Sequence, residues 1–407
     1  MDLWRQEDGT LIVPRGLEGE LHRHAPDATI TDHRLLLPPA DFHWRGELRP
    51  EQKTACRAAH SAGGVVVGPC GSGKTVMGLA MVAAWRQPCL WIVHTIDLAK
   101  QSLDRAQSLF DLPPAAFGMV GDGKATVGTH LTVATVQTLA RRDLSDLAGR
   151  FGAVVVDEAH RTPTNTHTAT VQAFPARYRL GLTATPDRAD GLGGAMLAVL
   201  GPVAAHLTTA QLARAGRVVV PSVRFVATRF RYRYADDYGA LLGALCEDPG
   251  RNALIVRTVA QEAHTGHTCL VLSERVEHCH ALADALAAIA PDVPAAVLTG
   301  EATARQRAAT LGAMRDGRLR VLFATKLADE GLDLPALDRV FLTTGGRAAG
   351  RLAQQVGRAM RAVAGKRGAK VIDFTDPQVG VLAAQSRARQ RDVYLPLGAR
   401  IEGDRPA

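Results

Sequence analysis

"VVVGPCGSGKT", residues 65–75, decides the fold of this chain. Three successive valines read as a buried strand, the glycines that follow as a tight loop, and the lysine and threonine as the start of a helix. Gly68 to Thr75 fits the phosphate-loop spacing GxxxxGK[ST], with Ser72 inside it. Backbone N–H groups freed by Gly71 and Gly73 can surround a β-phosphate at a helix N-terminus. Lys74 is then placed for the β- and γ-phosphates, and the Thr75 hydroxyl for Mg²⁺.

Outward from that loop the alternation continues. Between residues 46 and 205 the short apolar runs "GGVVVG", "CLWIVHT", "HLTVAT", "AVVVDEAH" and "YRLGLTAT" alternate with helical patterns. Runs that are apolar at every position, as residues 154–156 are, need cover on both faces, which predicts a doubly wound parallel sheet. "AVVVDEAH", residues 153–160, carries Asp157 to the C-terminal edge of that sheet, where ligands bind in such folds. There Asp157 can reach Mg²⁺ through its water shell, and Glu158 can orient or deprotonate an attacking water.

The pattern lapses over 206–250, read as a linker and the start of a second domain. It resumes over 251–385 with "TCLVLS", "AAVLTG", "LRVLFAT", "RVFLTT" and "KVIDFTD". The fold class expected is α/β, with two tandem parallel-sheet domains. A small N-terminal appendage over 1–45, a candidate DNA-binding module, precedes them, and a partly loose tail over 386–407 follows.

Composition narrows the partners. A chain of 407 residues, 46% hydrophobic and 22% charged, has room for two cores. Lys and Arg total 48 against 40 Asp and Glu, and the net +8 favours a polyanion, with nucleic acid the first candidate. Aromatics at 5% favour phosphate contacts over base stacking. The six cysteines never form a CxxC pair, which argues against a disulfide framework or a structural zinc. "VEHCHALADAL" reads as a helix on which His278 and His280 diverge, so a metal there is not expected. No leader and no membrane-length apolar run is evident, so a cytoplasmic location and no membrane partner are expected.

The order of motifs resembles the superfamily 2 helicases and translocases with a DEAH box. The resemblance is nearest to the branch of the xeroderma pigmentosum type B repair helicase, phage recombination helicases and restriction-enzyme motor subunits. It spans about residues 46 to 376 and implies two RecA-like domains that hydrolyse ATP with Mg²⁺ to move along or unwind DNA. "LRPEQ" resembles the adenine-reading Q motif, which assigns Gln52 to the base. "VHTIDLAKQ" and "TVATVQTL" resemble strand-contacting motifs, pointing to Thr95, Gln101, Thr135 and Gln137. "LTATPDR" resembles the motif that couples hydrolysis to domain movement, with Thr183 and Thr185 near His160. "LFATKLADEGLDLPALDRV" resembles motif V, setting Thr325 on a strand phosphate and Gly331 and Asp333 near the nucleotide. "QQVGRAMR", residues 354–361, resembles motif VI. By that resemblance Arg358 and Arg361 are arginine fingers reaching the γ-phosphate from the second domain, and Gln354 positions the water. Single-stranded, duplex or branched DNA is the expected partner. RNA is the nearest alternative, because backbone contacts serve either sugar unless the 2′-OH is read. Two further readings are a motor subunit working beside a nuclease or repair partner and a nucleotide-gated scaffold; the latter is disfavoured because Lys74, Glu158 and both arginines are present.

Overall fold

The apolar runs fold as strands covered on both faces. The computed structural model describes residues 5–8, 10–27, 29–61, 63–161, 165–184, 193–325, 334, 336–344, 356–357 and 368–403. The chain divides into two compact units, Met1–Thr208 and Thr209–Ala407.

The first unit opens with a hairpin, β1 (Arg5–Glu7) and β2 (Thr10–Ile12). Then follow β3 (Gly63–Val67), β4 (Cys89–Val93), β5 (Phe117–Gly121), β6 (Lys124–Thr126), β7 (Leu131–Thr135), β8 (Ala153–Asp157), β9 (Tyr178–Thr183) and β10 (Val203–His206). The last eight form one sheet in the order β10-β3-β9-β8-β4-β7-β5-β6, parallel except for the antiparallel β5–β6 pair at one edge. Period-two geometry divides each continuous apolar run between two cores. Val66, Trp91, Val133, Val155 and Leu182 enter one cluster, whereas Val65, Val67, Ile92, Ala134, Val154 and Val156 enter the other. Because the pairing is parallel, every strand of this sheet but β6 ends with its C-terminal residue at one common edge, where the loop after β3 and the carboxylates at the end of β8 emerge.

Residues 34–45, expected within a separate appendage, lie against this unit. The Leu35 N–H donates to Pro175 O at 2.6 Å, and Arg177 N–H returns a bond to Leu35 O at 2.9 Å. Gln87 accepts from Leu37 N–H at 2.8 Å and donates to Leu37 O at 2.9 Å. Trp44 packs edge-on against Phe110 with ring centroids 5.6 Å apart. Farther back, the Arg15 guanidinium donates to the carbonyls of Ala176 and Arg177 at 3.3 and 3.0 Å. Backbone groups used in this way stabilise the first unit and are withdrawn from any other partner.

The second unit contains β11 (Ser222–Ala227), β12 (Cys269–Ser273), β13 (Ala295–Leu298), β14 (Val321–Thr325), β15 (Arg339–Leu342), β16 (Lys370–Thr375) and β17 (Arg400–Glu402). They form a wholly parallel sheet in the order β13-β14-β12-β15-β16-β11-β17. Its two faces again separate by parity, with Leu270, Leu272, Leu322 and Val371 on one side and Cys269, Val271, Phe323 and Ile372 on the other. Two stretches differ from the sequence expectation. Residues 206–250, read as a linker and the start of a second domain, hold a strand that the sequence did not show, β11, inside the sheet, together with the helices Thr209–Arg214 and Tyr238–Glu247. The tail carries β17, which pairs with β11, and the buried Val393 and Tyr394. Arg224 interrupts the apolar run of β11 and β17 is three residues long, so neither shows a strand period.

A buried ionic group ties that tail to the sheet. The Arg389 Nε and Nη2 donate to the two Asp373 oxygens at 2.9 and 2.7 Å, and the Tyr394 hydroxyl donates to Asp373 Oδ2 at 2.7 Å. Among the described residues no helix is long and apolar enough to cross a membrane.

Candidate nucleotide site

The glycine-rich loop between β3 and the helix Lys74–Trp85 takes the shape that its glycines allow. Gly71 and Gly73 have φ of +85° and +80°, in the left-handed region that glycine enters without a Cβ penalty. Gly73 is the residue before the helix, so the first helical N–H groups face out of the loop without partners in the helix. Lys74 folds back over the loop, its Nζ donating to Gly68 O at 2.9 Å. Thr75 follows it on the first turn, half-buried.

Beneath the loop lies a support that motif spacing does not reveal. The helix Pro50–Ala59 presents Gln52, only 3% exposed, whose Nε2 donates to Ser72 O at 2.8 Å while its Oε1 accepts from Arg49 N–H at 3.0 Å. The Arg49 Nη2 donates to the same Ser72 carbonyl at 2.6 Å. The resemblance assigns Gln52 to the adenine base; the structure has its amide engaged by the phosphate loop itself. Arg49 was not singled out in the sequence, although its place just before Pro50 at a helix start was a usable signal. A Cβ added at Gly73 would lie 2.3 Å from Gln52 Nε2, so the loop and its support are in close contact.

At the end of β8, two strands along from β3, Asp157 and Glu158 stand together. The Glu158 N–H donates to Asp157 Oδ1 at 2.9 Å, and Glu158 itself sits at φ +51°. A non-glycine residue there costs about 1 kcal/mol or more, a strain borne at the position assigned to the attacking water. Burial pushes the Asp157 carboxyl up to about 7; repulsion from Glu158 adds to this and the Lys74 ammonium opposes it. The Asp157 carboxylate and the Thr75 hydroxyl are hard oxygen donors of the kind Mg²⁺ takes, and a dication would relieve the repulsion that raises Asp157. The donor chemistry fits the ion.

From this pair a contact crosses to the neighbouring strand. His160 Nδ1 lies 3.4 Å from Glu158 Oε2 and 3.2 Å from Thr183 Oγ1 at the end of β9. The other assigned residues are dispersed. Thr95 caps the helix Ile96–Leu109 by accepting from Leu98 N–H at 3.3 Å. Gln101 and Gln137 are exposed, whereas Thr135 is buried with its hydroxyl 2.8 Å from that of Thr138. Thr325 ends β14, buried, with no hydrogen-bond partner for Oγ1 among the described residues. Thr185, Gly331, Asp333, Gln354, Arg358 and Arg361 lie outside the described residues.

Comparison with known proteins places the chain in a family. Residues 45–188 match the family described as "Type III restriction enzyme, res subunit", and residues 251–363 match the "Helicase conserved C-terminal domain". The chain belongs to the superfamily 2 helicases. Within that superfamily it is 30% identical over 336 residues to the DNA 3'-5' helicase XPB of Kineococcus radiotolerans, a match covering 77% of this chain and 57% of that one. It is 25% identical over 358 residues to the DNA 3'-5' translocase XPB2 of Sulfurisphaera tokodaii, covering 77% and 79%. This superfamily 2 chain thus spans little more than half the length of the first of these relatives. Among solved structures, the ATP-dependent Type ISP restriction-modification enzyme LlaBIII bound to DNA shares the fold. Its TM-score is 0.63 at 16% identity, over 86% of this chain and 30% of that one.

Proposed function

We propose that this chain is an ATP-dependent motor that moves along, unwinds or remodels DNA. The observation that carries the reading is one sheet edge in the first unit: a phosphate loop with Lys74 after β3, the Asp157–Glu158 pair after β8, and the His160–Thr183 contact joining β8 to β9. The tandem family matches and the helicase and translocase relatives support the coupling of that edge to DNA.

On this reading the loop N–H groups and Lys74 hold the β- and γ-phosphates. Thr75, and Asp157 through water, would hold Mg²⁺, which would supply neutralisation of the phosphate charge. Glu158 orients the attacking water and accepts its proton as the water oxygen bonds to the γ-phosphorus and the bond from that phosphorus to the β–γ bridging oxygen breaks, with ADP leaving. His160 reports the state of Glu158 to Thr183, and so to the segment that contains Thr185. Gly331 and Asp333 approach the nucleotide, while Gln354, Arg358 and Arg361 complete the site during turnover. Thr95, Gln101, Thr135, Gln137 and Thr325 meet the strand through its phosphates, a grip indifferent to sequence. Repair or recombination in the cytoplasm is the process in which such an activity would serve.

ATPase rates with single-stranded, duplex, forked and four-way DNA, and with RNA, at one fixed salt concentration test this reading. Stimulation by DNA is expected. A rate unaffected by every DNA would refute it, and stimulation by RNA alone would reassign the substrate. The match to a restriction-enzyme subunit family also favours a motor that works beside a nuclease partner. Copurification of such a partner is the expected sign.

A further inference from the structure

The stretch "TRFRYRY", residues 228–234, belongs to none of the helicase motifs, yet its side chains are sorted with regularity. Arg229, Arg231 and Arg233 are exposed, whereas Phe230 is buried and Tyr232 half-buried between them. A period of two is what an extended chain produces when one side packs against a core. Here the core is a small cluster in which Phe230 joins Leu241, Leu242 and Leu245 of the helix Tyr238–Glu247, with Val379 and Leu382. The Phe230 and Tyr232 rings stack with centroids 6.3 Å apart and planes 11° from parallel. Burial of Phe230 and Tyr232 therefore leaves the three alternating arginines exposed on the other side of the segment.

The base of this row is rigidly set. Thr228 N–H donates to Thr375 O at 2.8 Å, and its hydroxyl donates to Asp376, which also receives Arg251 Nε and Nη2 at 3.0 and 3.2 Å. Phe230 N–H in turn donates to Thr228 Oγ1 at 3.2 Å. The row leaves the sheet at the C-terminal end of β11. Because the sheet is parallel, that is the edge where β14 ends in Thr325, four strand positions away, or roughly 19 Å.

Asp236 and Asp237 follow the row in the sequence, but among the described residues no carboxylate pairs with it. Residues 191–235 carry six arginines and no aspartate or glutamate, and none of the three arginines in the row forms an ion pair with a described residue. A solvated basic surface needs no such order: its side chains would be spaced by chance and interleaved with acids. Alternate residues of an extended chain lie about 6–7 Å apart, the scale of successive phosphates in an extended strand, so a row of like charges on such a chain matches a ligand that is itself a row of opposite charges. An acidic protein surface offers no such regular repeat.

We propose that Arg229, Arg231 and Arg233 form a phosphate track that extends the nucleic-acid path along the second unit, beyond the residues that the helicase motifs assign. The track rests on the reading of the chain as a DNA motor. Arginines suit it because they remain charged and can bridge phosphate oxygens bidentately.

The test is equilibrium binding of the full chain to a labelled single-stranded and a labelled duplex oligodeoxynucleotide, across a salt series. In the triple variant R229Q/R231Q/R233Q the slope of log affinity against log salt is expected to become shallower by about 2 for the single strand and about 3 for the duplex. R229K/R231K/R233K is expected to keep the wild-type slope, and both variants to melt with the wild type. A wild-type protein that binds DNA, beside a glutamine variant of equal slope, would overturn the track and leave the motor reading standing. Loss of slope in the lysine variant as well would show that the charges are not its cause and would also overturn it. Absence of DNA binding by the wild type would remove both.

Discussion

Gly73→Ala should damage the nucleotide site through a contact that lies outside the motif. At φ +80° an L-residue is left-handed, at a cost of about 1–2 kcal/mol. The new methyl would lie 2.3 Å from Gln52 Nε2, so the amide must leave Ser72 O. Gln52 is buried, and a buried polar group without its partner costs about 1–3 kcal/mol. Together the first unit should lose about 2–5 kcal/mol. The readout can be confined to that unit, because all four tryptophans, Trp4, Trp44, Trp85 and Trp91, precede Thr209. Denaturant unfolding followed by tryptophan fluorescence therefore gives the loss directly. A second background separates the two causes. In Gln52→Ala the collision is gone, so Gly73→Ala should there cost only the backbone strain, about 1–2 kcal/mol. An equal cost in both backgrounds would refute the close support of the loop by Gln52, as would a loss under about 0.5 kcal/mol in the wild type.

The remaining predictions concern chemistry and stability. Lys74→Ala should abolish turnover, whereas Glu158→Gln should still bind ATP yet hydrolyse it at least about a hundredfold more slowly in a single-turnover assay. Arg358→Ala should lose about 10³-fold or more in hydrolysis with nucleotide affinity changed far less; a loss confined to binding would contradict the finger role. Asp373→Asn should cost the second unit about 3–5 kcal/mol by circular dichroism, since Arg389 would be left buried without its carboxylate. With Mg²⁺ chelated, Asp157 also predicts a pH effect. Its folded pKa, about 7, exceeds the ordinary value, so the folded state binds the proton more tightly than the unfolded chain does. The stability it contributes falls as pH rises from the ordinary carboxylate range towards 7, and Asp157→Asn should stabilise the first unit more above 7 than at acidic pH. A variant difference independent of pH would contradict the shift.

Much of the first unit was legible because its signals are local. The spacing of Gly68, Gly71, Gly73 and Lys74 specifies a loop whose geometry needs no distant residue, and the valine runs of β3 and β8 state their own burial. His160 beside Thr183 followed from the resemblance rather than from any period. The second unit was harder to read. In β11, "SVRFVA", an exposed arginine breaks the run, and the three residues of β17 are too few for any pattern. What makes β11 a strand is pairing to β16, more than a hundred residues away along the chain, and β17 is a strand because it pairs in turn with β11. The contacts of the leading segment were hidden for a similar reason: Leu35, Leu37 and Trp44 find their partners between residues 87 and 177.

By itself, the sequence determined the two parallel sheets, the phosphate loop after β3 and the carboxylate pair after β8. Each depends on residues close together in the chain, where periodicity and turn chemistry act directly. Only the tertiary structure decided that Gln52 and Arg49 brace the loop from below, that residues 206–250 supply a strand, and that three arginines stand in a row. Those outcomes depend on packing between distant segments, and burial of one side chain there dictates where its neighbours must point.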